Sequence, residues 1–170
     1  GSLSATRYYR ARVVSGACDT LFSRVVTVTV DPASAVGTLS RSNVQVCTGT
    51  NSTLLTLSSA TGIIRWQSST DGTNFSDIAG QSGLSYTAQD LTQTTYYRVV
   101  VKSGVCDSVV SNTVSIIVNP LAVGGTISGA TTVAYGVNTT NLQLNNSFGT
   151  IEWQSSANGT SFATASGTVT

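Results

Sequence analysis

Seven carboxylates, three cysteines and two tryptophans are the side chains with the most chemistry to offer in this 170-residue chain, which contains no histidine. Without histidine the usual general base, the His-dependent triads and the commonest zinc sites all fall away. The acids are Asp19, Asp31, Asp71, Asp77, Asp90, Asp107 and Glu152, scattered over turn-like stretches. Glycoside hydrolysis needs two carboxyl groups facing each other across a cleft, and Asp71 with Asp77 on one expected hairpin is a poor pair. No glycine-rich loop runs into a helical pattern, so phosphates have no cradle. The reading is a non-enzyme, with no catalytic residue, no cofactor and no metal.

Aromatic and basic residues set the remaining options. Sugar-binding sandwiches stack their ligands on exposed rings, and Trp66 and Trp153 are the only tryptophans. Each sits in an alternating stretch (IIRWQSS and IEWQSS) that turns it inward with its apolar neighbours, as expected of core. Tyr8 and Tyr96 fall on the outward phase and are the better candidates for a platform. The net charge is +1, with a single lysine, so there is no basic patch for nucleic acid. No apolar run approaches the length of a membrane span, and no membrane insertion is expected.

The elements that must position these side chains are written more than once. YYRARVVSGACDT (Tyr8 to Thr20) recurs as YYRVVVKSGVCDS (Tyr96 to Ser108), 88 residues later. Val28-Thr29-Val30-Asp31-Pro32 returns as Ile116-Ile117-Val118-Asn119-Pro120, and Gly37-Thr38-Leu39-Ser40 as Gly125-Thr126-Ile127-Ser128. After a one-residue deletion the offset becomes 87, and Ile64-Arg65-Trp66-Gln67-Ser68-Ser69 returns as Ile151-Glu152-Trp153-Gln154-Ser155-Ser156. The chain thus divides into the tail of one repeat (1–32), a whole repeat (33–120) and the front of another (121–170).

Short apolar runs rich in Val, Ile and Leu, separated by Ser, Thr, Asn and Gly, give an all-β signature; Ser and Thr make up nearly a third of the chain. The whole repeat shows a broken first strand (Thr38–Ser40, Val44–Cys47), then Thr53–Ser58, Ile63–Ser69, Phe75–Ile78, Leu84–Ala88, Thr95–Lys102 and Val109–Val118. Asp71-Gly72 is expected to make a hairpin in which both residues tolerate positive φ. Seven short strands fit tandem β-sandwiches of immunoglobulin or fibronectin III type, with Trp66 and Tyr97, and likewise Trp153 and Tyr9, as structural core. The linkers are short and end in Pro32 and Pro120, which favours end-to-end stacking as a rod, each unit advancing roughly 33 Å.

Cys18, Cys47 and Cys106 are candidates for disulfides. Cys18 and Cys106 hold the same place in successive repeats and cannot bond each other. Cys47 with Cys106 is the direct pairing within one repeat and stays open, although the expected topology sets the two at opposite ends of the sandwich and a disulfide needs Cα atoms within roughly 7 Å. The alternative is a staple between adjacent repeats, using residues outside this chain. Segments 121–170 and 1–32 together nearly make up one more unit. Two arrangements satisfy this: a window on a much longer array, or neighbouring chains that complete each other's halves into a filament.

The pattern YYRVVVKSGVCDS, SNTVSIIVNP, GTIS and IRWQSSTDG resembles the immunoglobulin-like repeats of very large SprB-type surface adhesins of gliding Bacteroidota. The resemblance covers essentially the whole chain; Tyr135 replaces the cysteine, and Asn158-Gly159 the Asp-Gly, in the last copy. It implies export by the type IX secretion system, a place on the outer cell surface, and a role as stalk that transmits force in gliding and attachment. The partners implied are neighbouring repeats, other copies in a filament, and the motility and secretion machinery acting through other parts of the parent. The alternative is a carbohydrate-binding or accessory module of a secreted protein. The resemblance also implies O-glycosylation at Thr20 and Ser108, each in an Asp-Ser/Thr-aliphatic triplet.

Overall fold

The computed structural model describes every residue except Asn43, Ala130 and 166–170, so the last five residues of the 121–170 segment lie outside the described residues. Every regular element among the described residues is a strand. Two compact units result, Gly1–Asn119 and Pro120–Thr170.

In the first unit, residues 35–119 form two sheets consistent with a β-sandwich. One sheet runs Ser76–Asp77, Ile63–Ser69, Thr95–Lys102, Val114–Asn119, Gln45–Cys47, with Val109–Val110 also paired to Thr95–Lys102. The other runs Ser85–Gln89, Ser52–Leu57, Leu39–Arg41. Alternation drives the packing: Leu55 and Leu57 turn inward from one sheet, and Trp66, Tyr97, Val99, Val101, Val114 and Ile116 from the other. Trp66 is 0% exposed and gives its indole N–H to the Gly83 carbonyl at 2.9 Å, so the buried ring leaves no unpaired donor. Tyr86 bridges the rings of Trp66 and Tyr97, with centroids 5.6 and 5.9 Å away.

The expected strands Ile63–Ser69 and Thr95–Lys102 appear with those bounds. The broken first strand serves both sheets: Leu39–Arg41 pairs with Ser52–Leu57, and Gln45–Cys47 runs parallel to Val114–Asn119. Ser52–Leu57, Ser76–Asp77 and Ser85–Gln89 differ from the expected bounds by a residue at each end, Ala35–Val36 pairs unexpectedly with Ala60–Thr61, and two features differ more deeply. The expected last strand is split into Val109–Val110 and Val114–Asn119, because Asn112 turns away to clamp Leu39, its Oδ1 accepting from the Leu39 N–H at 2.8 Å and its amide donating to the Leu39 carbonyl at 2.9 Å. In the Asp71-Gly72 turn only Gly72 takes a positive φ, of 72°; Asp71 contributes its carboxylate instead.

Residues 1–30 form two hairpins, Arg7–Tyr9 with Val26–Val28 and Arg12–Val13 with Leu21–Phe22. Their registers equal those of Thr95–Tyr97 with Val114–Ile116, and of Val100–Val101 with Val109–Val110, 88 residues on. The second unit likewise pairs Ile127 with Leu144 as Leu39 pairs with Leu57, and Gln154 with Thr164 as Gln67 pairs with Asp77. No residue of 1–30, and no described residue of the second unit, is buried.

Candidate functional site

Four groups of residues could carry function, and the fold commits most of them to structure. Trp66 and Tyr97 are in the core, Tyr97 at 2% exposure, and burial together with the neighbouring Tyr86 pushes its phenol up to about 12. Trp153 is half-buried and Tyr9 is 50% exposed; among the described residues the strands beside them each belong to a two-stranded sheet. Of the two outward tyrosines, Tyr8 lines an open hollow together with Tyr9, Arg10 and Val25. Tyr8 is 73% exposed with Tyr9 beside it pairing to a different strand position, and Tyr96 lies over Gly72, where a β-carbon would stand 3.5 Å from its ring.

The Asp71 turn is a closed hydrogen-bonding cage. Asp71 Oδ1 accepts from the Ser69 hydroxyl (2.7 Å) and from the backbone N–H groups of Thr73 (2.8 Å) and Asn74 (2.7 Å), and Oδ2 from the Asn74 amide (2.6 Å). Ser69 Oγ in turn accepts from the N–H groups of Asp71 and Gly72. These donors, the Ser69 hydroxyl foremost, hold the Asp71 carboxyl well below the usual range. Asn158 makes the same bonds through its amide oxygen, to Ser156, Thr160 and Ser161. Asp77 is engaged separately, by Arg65 at 3.1 Å and the Gln67 amide at 2.7 Å. Arg98 extends this ladder, its Nε donating to Gln67 Oε1 at 2.7 Å and its guanidinium lying 4.0 Å over Phe75. In the second unit Glu152 takes a bond from the Thr164 hydroxyl at 2.7 Å, which with Gln154 holds its carboxyl below the usual range.

All three cysteines are free. Cys47 stands opposite Asn119, beyond the Thr95 end of the Thr95–Lys102 strand, and Cys106 lies in the loop after Lys102, at the other end. That separation explains why the two are unbonded. Ser108 is exposed and Thr20 half-buried, in corresponding loops.

A joint that local sequence reading missed lies at Asp31–Ser34. The Asp31 carboxylate accepts from the Val105 N–H at 3.1 Å, the Ser34 hydroxyl accepts from the Ser103 N–H at 2.8 Å, and Cys106 Sγ lies 3.5 Å from the Pro32 carbonyl oxygen. Gly104, at φ +48°, passes so close that a β-carbon there would run into the Asp31 carboxylate. The signal available in the sequence was the Ser-Gly that precedes Cys18 and Cys106, but the partner acid of the Cys106 loop is over seventy residues away. Asn51 is a second case: its side chain ties the Cys47, Gly49 and Leu91 carbonyls (2.8, 3.0 and 2.8 Å) and accepts from the Leu91 N–H at 3.0 Å.

The described residues thus present a loop clasp, a turn cage and a set of packed rings. No curated protein matches the chain. The family described as Domain of unknown function (DUF8696) matches it in three segments, residues 1–32, 35–120 and 123–170, and the chain belongs to that family.

Proposed function

We propose that this chain is part of the stalk of a cell-surface adhesin or filament, a spacer of tandem immunoglobulin-like sandwiches that transmits force in gliding and surface attachment. The observation that carries the reading is the recurrence of strand registers at spacings of 88 and 87 residues: residues 1–30, and again the second unit, hold pairings that match those of the middle segment. Repetition at a period of this size is how solenoids and arrays are written. The sheet order supports the immunoglobulin type, with the first strand shared between sheets and running parallel to the last.

The rest of the proposal follows from chemistry and from the resemblance. With a net charge of +1 and a surface rich in Ser and Thr, the units stay hydrated and attract one another weakly. The clasp of Asp31 and Ser34 on the loop 103–106 makes a short, stiff joint of the kind a strut needs. Successive sandwiches then stack into a rod. The protein acts without catalysis; it is exported by type IX secretion, stands on the outer surface and carries O-glycans at Thr20 and Ser108. Its neighbours are further repeats of the same kind.

The test is labelling of intact cells of the source organism with antibody to this chain. Label at the surface, moving with gliding cells, is the expected result; label that appears only after permeabilisation would overturn the reading.

A further inference from the structure

The two main sheets of the middle segment finish in four end strands, and the segment closes three of them with its own residues. Ser76–Asp77 is only two residues long and carries a charge, Asp77, held by Arg65 and Gln67. At Leu39–Arg41 the Asn112 side chain engages both the N–H and the carbonyl that Leu39 turns away from its sheet. At Gln45–Cys47 the Asn51 amide covers the Cys47 carbonyl at 2.8 Å. Short strands, charges and covering groups keep an edge from pairing with other chains.

The fourth end strand, Ser85–Gln89, has none of these. The Leu84 carbonyl accepts from the Leu57 N–H at 2.8 Å, and the Asp90 N–H donates to the Asn51 carbonyl at 3.0 Å. Antiparallel bonding alternates, so Tyr86 and Ala88 also bond toward Ser52–Leu57, while Ser85, Thr87 and Gln89 turn their N–H and C=O groups to the open side. Within the first unit those outward groups meet no partner, and all three residues are exposed. The strand, Ser-Tyr-Thr-Ala-Gln, contains neither charge nor proline.

We propose that Ser85–Gln89 pairs antiparallel with the same strand of a second copy, about a two-fold axis through Thr87. A second copy is the occupant because the strand complements itself. The axis sets Thr87 opposite Thr87 and Ser85 opposite Gln89, so each outward N–H meets an outward C=O. Threonine facing threonine is a favourable cross-strand pair. No like charges meet, since Asp90 comes opposite Leu84. In a stalk of many units, weak joints of this kind repeat and add, setting two stalks side by side. That extension rests on the stalk reading; the joint rests on the middle segment alone.

Sedimentation of the 170-residue chain over a wide concentration range tests this. The weight-average mass should climb above the 17.5 kDa of one chain as concentration rises. Thr87→Pro should abolish the climb, because the ring removes the donor at the axis. Edge strands tolerate proline, so its thermal melt should stay cooperative. Thr87→Lys alone and Thr87→Glu alone should each weaken association roughly fivefold, since like charges then face each other. An equimolar mixture of those two should associate as the unsubstituted chain does, because opposite charges then meet at the axis. A mixture no better than either variant alone would overturn the two-fold register. Equal association of Thr87→Pro and the unsubstituted chain would overturn this edge as the joint. A mass of 17.5 kDa at every concentration would overturn the pairing of copies and leave the stalk reading standing.

Discussion

A carboxylate at the tip of a hairpin usually adds little to stability, but Asp71 faces four donors at 2.8 Å or less. They bond the charged form, so the folded carboxyl is harder to protonate than the unfolded one. Its contribution is therefore complete above the ordinary carboxylate range and is lost as pH falls toward the lower folded value. Asp71→Asn should flatten the acid limb of thermal melts between about pH 4 and about pH 2, yet keep the turn, since Asn158 makes the same backbone bonds. Asp71→Ala should lose both. Tyr97 works at the other extreme. Its phenol is raised to about 12 by burial, so stability is full below the unfolded value near 10 and declines as pH rises through the folded value. The decline is about 1.4 kcal/mol per pH unit between those values. Tyr97→Phe should abolish that alkaline decline in denaturant titrations.

At the scale of elements, the joint loop depends on a glycine for two reasons at once. Gly104 takes φ +48° and leaves room for the Asp31 carboxylate. Gly104→Ala should open the clasp, seen as faster hydrogen exchange at the Val105 amide and faster proteolysis within residues 30–34, with the Trp66 core still folded. Such long-range polar contacts mark where sequence reading stops. Strands Ile63–Ser69 and Thr95–Lys102 were legible to their end residues because Ile64 and Trp66, and Tyr97, Val99 and Val101, alternate with polar or outward residues. The break after Val110 was not, since Asn112 answers to Leu39, 73 residues away. Ala35–Val36 with Ala60–Thr61 is too short to show alternation at all. Of the site, Trp66 and the turn at Asp71 could be read locally. The Asp31 clasp could not, because its aspartate and its loop are local signals that acquire meaning only when the chain folds back.

Taken as a whole molecule, the stalk reading makes a mechanical demand that the middle segment can be asked to meet. Gln45–Cys47 and Val114–Asn119 run parallel as neighbours, linked by Ile117 N–H to the Val44 carbonyl at 2.9 Å and Thr48 N–H to the Asn119 carbonyl at 2.8 Å. In single-molecule pulling, unfolding of one unit should lengthen the chain by about 280 Å, from 88 residues at full extension less the folded span. Thr48→Pro removes one donor of that seam and should lower the rupture force.

Because these two strands point the same way, tension applied at Pro32 and Asn119 draws them in opposite directions along their shared edge. The seam is then sheared, and its bonds must give way together and not one after another as in a zip. A tether made this way yields late and abruptly, holding its length under load up to the moment a unit lets go.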